Sequence, residues 1–204
     1  MPDNPKNKIR FGLKNVHYAM LTLSGSTPSY GTPVPIPGAV NLSLSKKSED
    51  LQFYADDDVY VELGDNSEFD GSLEIALIPD SFRTDALGEV LDANGVLVEN
   101  AVQQRKPFAL MFEFMGDVKA RRHVVYNCTA GEDEISGATK AGKIEVKTEN
   151  LTLHARQLPD GRVKTKTSDT TSDAVYNNWY NDVYLGSAPE TQTEPQTGDE
   201  TTGG

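Results

Sequence analysis

The sequence has one cysteine, one tryptophan and three histidines in 204 residues, and no long apolar run. A lone Cys128 excludes a disulfide within the chain, and its apolar neighbours predict a buried small hydrophobe rather than a redox centre. His17, His123 and His154 form no His-x-His or His-x-x-x-His pair, so the sequence offers no imidazole pair for a metal, and each is expected on a strand surface. Nothing reaches the about 20 consecutive apolar residues of a membrane-spanning helix. Met1-Pro2-Asp3-Asn4-Pro5-Lys6 lacks the apolar stretch of a secretion signal, which predicts a soluble product made in the cytoplasm. Cations are scarce too: 19 Lys and Arg against 31 Asp and Glu leave a net charge of −12. That balance opposes adhesion to nucleic acid or to an anionic membrane.

What the chain does have is strands. Phe108-Ala109-Leu110-Met111-Phe112-Glu113-Phe114 and Arg121-Arg122-His123-Val124-Val125-Tyr126-Asn127-Cys128 flank a Gly116-Asp117 pair, the pattern of a β-hairpin. A first strand is predicted from Asn15 to Leu23, stopped by Ser24-Gly25-Ser26. Four prolines between 28 and 38 predict a stiff excursion. Val40, Leu42 and Leu44 alternate with polar residues, as do Val59, Val61 and Leu63, then Leu73, Ile75 and Leu77 after Gly71, and later Ile144-Glu145-Val146 and Leu151-Thr152-Leu153. Asn94-Gly95 predicts a small hairpin, and Asp160-Gly161 a turn into 163–166.

Helix signals are few. Pro79-Asp80-Ser81 reads as a start and Gly88 as a stop. Ser172 or Asp173 can cap a last helix in which Val175, Trp179 and Val183 make one apolar stripe, with Gly186 at its end. Trp179, Tyr180 and Tyr184 are accordingly expected to pack on a sheet rather than hold a ligand. The organisation expected is an arm over 1–10, one β domain over 11–186, and a disordered acidic tail over 187–204, which has no Lys or Arg.

No catalytic constellation accompanies these elements, and no cofactor, metal or catalytic residue is assigned. Residues 137–143 carry the glycine and lysine spacing of a phosphate loop, but Ile144 stands where Ser or Thr must bind magnesium, and strand alternation follows where a helix is needed. Asp56, Asp57 and Asp58 are consecutive, so on a strand they project alternately and do not converge on a cation. They are read instead as a solvated turn or an interface loop awaiting basic partners. Nine acids and no Lys or Arg lie between 49 and 70, the electrostatic pole of the sequence.

Phe11-Gly12-Leu13-Lys14-Asn15-Val16-His17-Tyr18-Ala19, Tyr54-Ala55-Asp56-Asp57, Gly71-Ser72-Leu73-Glu74-Ile75-Ala76, Lys106-Pro107-Phe108-Ala109-Leu110 and Arg122-His123-Val124-Val125-Tyr126-Asn127-Cys128 together resemble the phi13-type major tail proteins of long-tailed, non-contractile phages and prophages. The resemblance runs from about Phe11 to Tyr184. It implies a mainly β, sandwich or barrel-like tail tube fold with a flanking α-helix, extended loops and a terminal arm. It also implies a virion tail subunit, made in the host cytoplasm, that forms hexameric rings stacked into a conduit for DNA. Its partners would be copies of itself, a tape measure protein, a tail terminator and an initiator complex, with DNA passing without sticking and no membrane involved.

On that reading the contacts between subunits fall to 28–38, 45–58 and the arm, with Asp56, Asp57 and Asp58 meeting Arg121, Arg122, Lys140, Lys143 or Lys147. Glu62, Glu74 and Glu113, each on a predicted strand, are candidates for an acidic lumen that repels the duplex. A soluble β-sandwich module that recognises carbohydrate or a peptide through Tyr30, Tyr54 and Tyr60 is the alternative function.

Overall fold

The computed structural model describes residues 7–55, 58–132, 137 and 147–186; for 48–55 and 58–67 it describes the backbone alone. Half of the structure is strand and a tenth helix, so the mainly β expectation holds. The strands are β1 (Arg10–Ser24), β2 (Thr27–Tyr30), β3 (Val34–Pro35), β4 (Ala39–Ala55), β5 (Asp58–Ile75), β6 (Val90–Leu91), β7 (Leu97–Val98), β8 (Phe108–Gly116), β9 (Arg121–Glu132), β10 (Glu149–Arg156) and β11 (Lys164–Lys166). Helix α1 (Asp80–Phe82) continues into a π-helical turn, Arg83–Leu87, and α2 spans Asp173–Asn178.

Nine strands form one antiparallel sheet in the order β2-β1-β8-β9-β10-β5-β4, with β3 on β1 and β11 on β9. The sheet curls until β1 lies against β4, near the far end of that order. Its concave face encloses the main core: Val16 and Tyr18 of β1, Phe69, Leu73 and Ile75 of β5, Phe108 and Leu110 of β8, and Leu151 and Leu153 of β10. Phe82 and Ala86 plug this core from the helical segment, and Phe82 meets both Tyr18 and Phe108 edge to face. The opposite face is buried as well. Ala19, Ala109, Met111, Val124 and Tyr126 pack there against Leu158 and Trp179. Burial on both faces explains why Phe108 to Phe112 is apolar without alternation.

The hairpin of β8 and β9 forms, but through a longer connection than a tight Gly-Asp turn: Phe114 pairs with Arg121, Met115 and Gly116 pair with β1 instead, and 117–120 form the loop. Asn7 holds that loop, its Oδ1 accepting from the backbone of Val118 and Lys119 at 2.8 and 3.0 Å. The small Asn94-Gly95 hairpin is present as β6 and β7, with Gly95 at φ 80 and the Asp92 carboxylate accepting from Asn94 and Val96.

β1 starts five residues before the predicted strand. Register shifts near Gly12 (φ 60) and Asn15 (φ 50) let the extra length stay paired with β8, and Asn is among the few residues that tolerate that backbone. The proline-rich stretch is a sheet margin rather than a free excursion. β2 and β3 fold back onto β1, where edge positions need no proline donor. Val40 is exposed, not inward, because a register shift between Ala39 and Asn41 bulges it out while Leu42 and Leu44 meet the core. Gly71 does not separate two strands but sits within β5, and Leu77 is exposed while Ile78 is buried.

Pro79, with no side-chain cap, precedes α1, while Gly88 at φ 87 ends the turn as expected. Ser172 Oγ caps α2 by accepting from Val175. That helix stops at Asn178, so Trp179 closes it and Val183 lies beyond. Ile144 to Val146 and the tail over 187–204 lie outside the described residues.

Candidate assembly surfaces

Two features dominate the surface, and both follow from the lengths of β4 and β5. β10 pairs with β5 only from Ile75 to Phe69, whereas β4 and β5 stay paired to Ala55 opposite Asp58. Beyond Lys47 and Glu68 the two strands therefore leave the sheet as a two-stranded ribbon. Nine residues from Lys47 to Ala55, at about 3.3 Å each, reach about 30 Å. Such a ribbon is marginally stable alone and gains order by docking. The other side of β4 is also open: among the described residues no strand pairs there, while β2 and β3 at the opposite margin carry Pro28 and Pro35. One edge is thus blunted, whereas β4 has no strand paired on its outer side among the described residues, although β1 lies close to part of it.

The second feature is a basic mouth where the ribbon leaves the barrel. A cavity of about 330 Å³ is lined by Leu42, Leu44, Phe69, Phe112 and Phe114, with Arg10 and Lys164 among its walls. An adjoining hollow of about 260 Å³ shares Arg10, Phe114 and His123 and adds Lys8, Arg121 and Lys166. Among the described residues neither lining includes an aspartate or glutamate. Lys164 Nζ sits 4.4 Å from the centre of the Phe69 ring, and the Arg10 guanidinium 5.2 Å from that of Phe114.

His123 is not the surface residue that its strand alternation predicts. It stacks on Phe112 with centroids 5.1 Å apart. Burial first, then Lys166, Arg10, Lys164 and Arg121, lower its pKa to about 4, so it is neutral at pH 7. Burial, with Lys46 and Lys166 close by, also lowers the pKa of Lys164.

Several residues expected at contacts are occupied within the chain. Glu113 is a correction: it is 6% exposed, so its carboxylate does not face a lumen in this subunit. It stands opposite Arg122 across the β8-β9 pair, accepts from Arg122 Nε at 3.0 Å and Asn15 Nδ2 at 2.7 Å, and also accepts from the Tyr180 hydroxyl at 3.3 Å. Arg122, expected to meet an acidic loop, instead lies over the Tyr176 ring at 3.8 Å and donates to the Tyr176 carbonyl. Through this pair α2 and the turn after it are fastened to the sheet. Burial and the Glu113 charge raise the pKa of Tyr180.

Arg121 donates to both oxygens of Asp169 at 3.1 and 3.0 Å. Glu74 is half-buried and accepts from Thr148 Oγ1 at 2.7 Å, while Lys147 is exposed beside it in sequence. Asp58 opens β5, and Glu62 stands opposite Gln52 in the ribbon. Asp56, Asp57, Lys140 and Lys143 lie outside the described residues, as does all of the phosphate-loop-like segment except Gly137. Tyr30 is half-buried and donates to the Tyr126 carbonyl at 2.8 Å, which removes it from any exposed aromatic site; the side chains of Tyr54 and Tyr60 are not described.

Cys128 is fully buried, as expected, and burial pushes its thiol up to about 12. His154 is on the surface, as expected, 2.8 Å from Asp70. Glu68 pairs with Lys47 and Arg156, so the root of the acidic stretch has cations supplied by β4 and β10. Among the described residues no group of three or more His, Cys, Asp or Glu is placed to hold a metal ion, and no helix is long and apolar enough to cross a membrane.

No family model and no curated protein matches the chain. Function therefore rests on the geometry above and on the residue patterns of the sequence.

Sequence reasoning missed the basic mouth because its cations come from Lys8 and Arg10, from Arg121, and from Lys164 and Lys166, three separate parts of the chain. One local signal was available. Lys164 and Lys166, two apart on a strand, share a face by alternation.

Proposed function

We propose that the chain is a structural, non-catalytic subunit of a phage tail tube, which joins copies of itself into stacked hexameric rings around a passage for DNA. The observation that carries this reading is the ribbon of β4 and β5, which departs from the sheet and, among the described residues, has no third strand paired beside it. An exposed ribbon and an open sheet edge are aggregation liabilities in a monomer, and a symmetric assembly turns both into interfaces. The resemblance of Phe11 to Tyr184 to phi13-type tail proteins supports the same conclusion, and the net charge of −12 suits a channel that must not bind DNA. Glu62 and Glu74 remain the lumen candidates. The destination is the virion tail, and the protein partners are the neighbouring tail components.

Replacing residues 49–66 by a two-residue Asn-Gly turn tests the ribbon's part in assembly. The expected product keeps a cooperative thermal transition, since the residues that build the two described cores all lie outside 49–66, yet stays monomeric in light scattering at concentrations where the full chain grows. Unchanged growth of the shortened chain contradicts the assignment.

A further inference from the structure

The basic mouth is out of keeping with the rest of the molecule. Five of the 19 basic residues, Lys8, Arg10, Arg121, Lys164 and Lys166, line two adjoining hollows whose floor is apolar and aromatic, and of these Arg121 is already paired with Asp169. A site of this kind fits a segment that carries acidic groups beside aliphatic or aromatic ones. We propose that it receives the acidic ribbon of a neighbouring copy of this chain. The proposal rests on the self-assembly reading and names the surface that the ribbon seeks.

Charge and pattern both select the ribbon. Residues 48–67 hold seven acids and no Lys or Arg. In the β4-β5 register Leu51 stands opposite Leu63 and Phe53 opposite Val61, and these positions alternate with Gln52 opposite Glu62 and Asp50 opposite Gly64. The ribbon thus carries the large apolar residues Leu51, Phe53, Val61 and Leu63 among the acids Glu49, Asp50, Glu62 and Asp65, a composition that suits a mouth with an apolar floor and a cationic rim. The 187–204 tail matches in charge only, since Glu190, Glu194, Asp199 and Glu200 are set among Thr, Gln, Pro and Gly without a large apolar residue.

The ribbon of the same chain is excluded by connectivity. Leu42, Leu44 and Phe69 at its root form part of the mouth's wall, and the strands run from there in continuous register to Ala55 opposite Asp58. Doubling back into that mouth would break the pairing. Register also places the mouth on the ribbon side of the barrel: Phe69 and Cys128 both pair with Ala155, and Val125 to Arg121 continue β9 beyond that level.

Cross-linking full-length protein with a water-soluble carbodiimide, in an equal mixture of unlabelled and ¹⁵N-labelled chains, tests this directly. The expected products are mixed-isotope peptide pairs that join Lys164 or Lys166 to Glu49, Asp50, Glu62 or Asp65. Pairs from these lysines only to the tail acids Glu190, Glu194, Asp199 or Glu200, or only within one isotope, overturn the assignment. Light scattering on the same mixture reports self-assembly separately: growth without the expected links overturns the mouth as the ribbon's site and leaves the tube reading standing. Absence of both growth and mixed pairs overturns the two together, and mixed pairs of the expected kind support the site with or without growth.

Discussion

Glu113→Ala should lower stability by about 3–5 kcal/mol, because it leaves the Arg122 guanidinium buried without its carboxylate. The Arg122 side chain is only 17% exposed, and what remains beside it are the Tyr176 and Tyr180 rings and a backbone carbonyl. In a domain of this size that loss corresponds to a drop in Tm of about 10 °C. The variant should also loosen α2, since Glu113 accepts from Tyr180 and Arg122 carries Tyr176. Trp179 is the sole tryptophan and is 2% exposed, so its fluorescence reports that loosening as a red shift. A paired change, Glu113→Leu with Arg122→Met, removes both charges and should recover most of the lost stability, because two buried charges are replaced by apolar volume. If the single variant melts with the parent, the Glu113 pair does not fasten the helix.

Gly71→Ala should be the most damaging single-methyl change in the sheet. A Cβ at Gly71 would stand 1.9 Å from the Ser43 carbonyl oxygen and 2.9 Å from Leu44 Cα, both main-chain atoms of β4 that cannot swing aside. β4 must shift, and with it the packing of Leu42 and Leu44 on the core, at a cost of about 3 kcal/mol. Gly31→Ala is the control, since its Cβ would meet nothing nearer than the Met20 carbonyl oxygen at 4.0 Å. Urea titration should move the midpoint of the Gly71 variant to markedly lower denaturant and leave the Gly31 variant near the parent. Equal midpoints would show that β4 can move away at little cost.

The contrast between these two glycines marks how far the sequence could be read. Gly71 was legible as a break in an alternating pattern, but one strand passes through it because the pattern resumes in register on both sides. Only the crossing backbone of β4 shows why glycine is required. Strict alternation located β10, where Leu151, Leu153 and Ala155 are all buried, and the apolar run located β8. Alternation failed at Val40 because a one-residue bulge reverses the faces, and a bulge leaves no local mark in residue type.

The site was less legible than the fold for the same physical reason. Glu113 looked like an outward acid on a strand, and its burial depends on Arg122 across the hairpin and on Tyr180, 67 residues later. Hairpin register would have paired Glu113 with Arg122 had the connection been counted as the six residues 115–120 rather than as a Gly-Asp turn. The charge contrast between the ribbon and the rest of the chain, by comparison, was visible at once, because nine acids without a cation need no register to be counted.

Electron microscopy of the concentrated, purified chain tests the central claim most directly. The proposed tail tube function predicts rings or hollow filaments, and the resemblance to tail tube proteins implies six copies around each ring. A population that stays monomeric at every concentration and in the presence of the other tail components would contradict it.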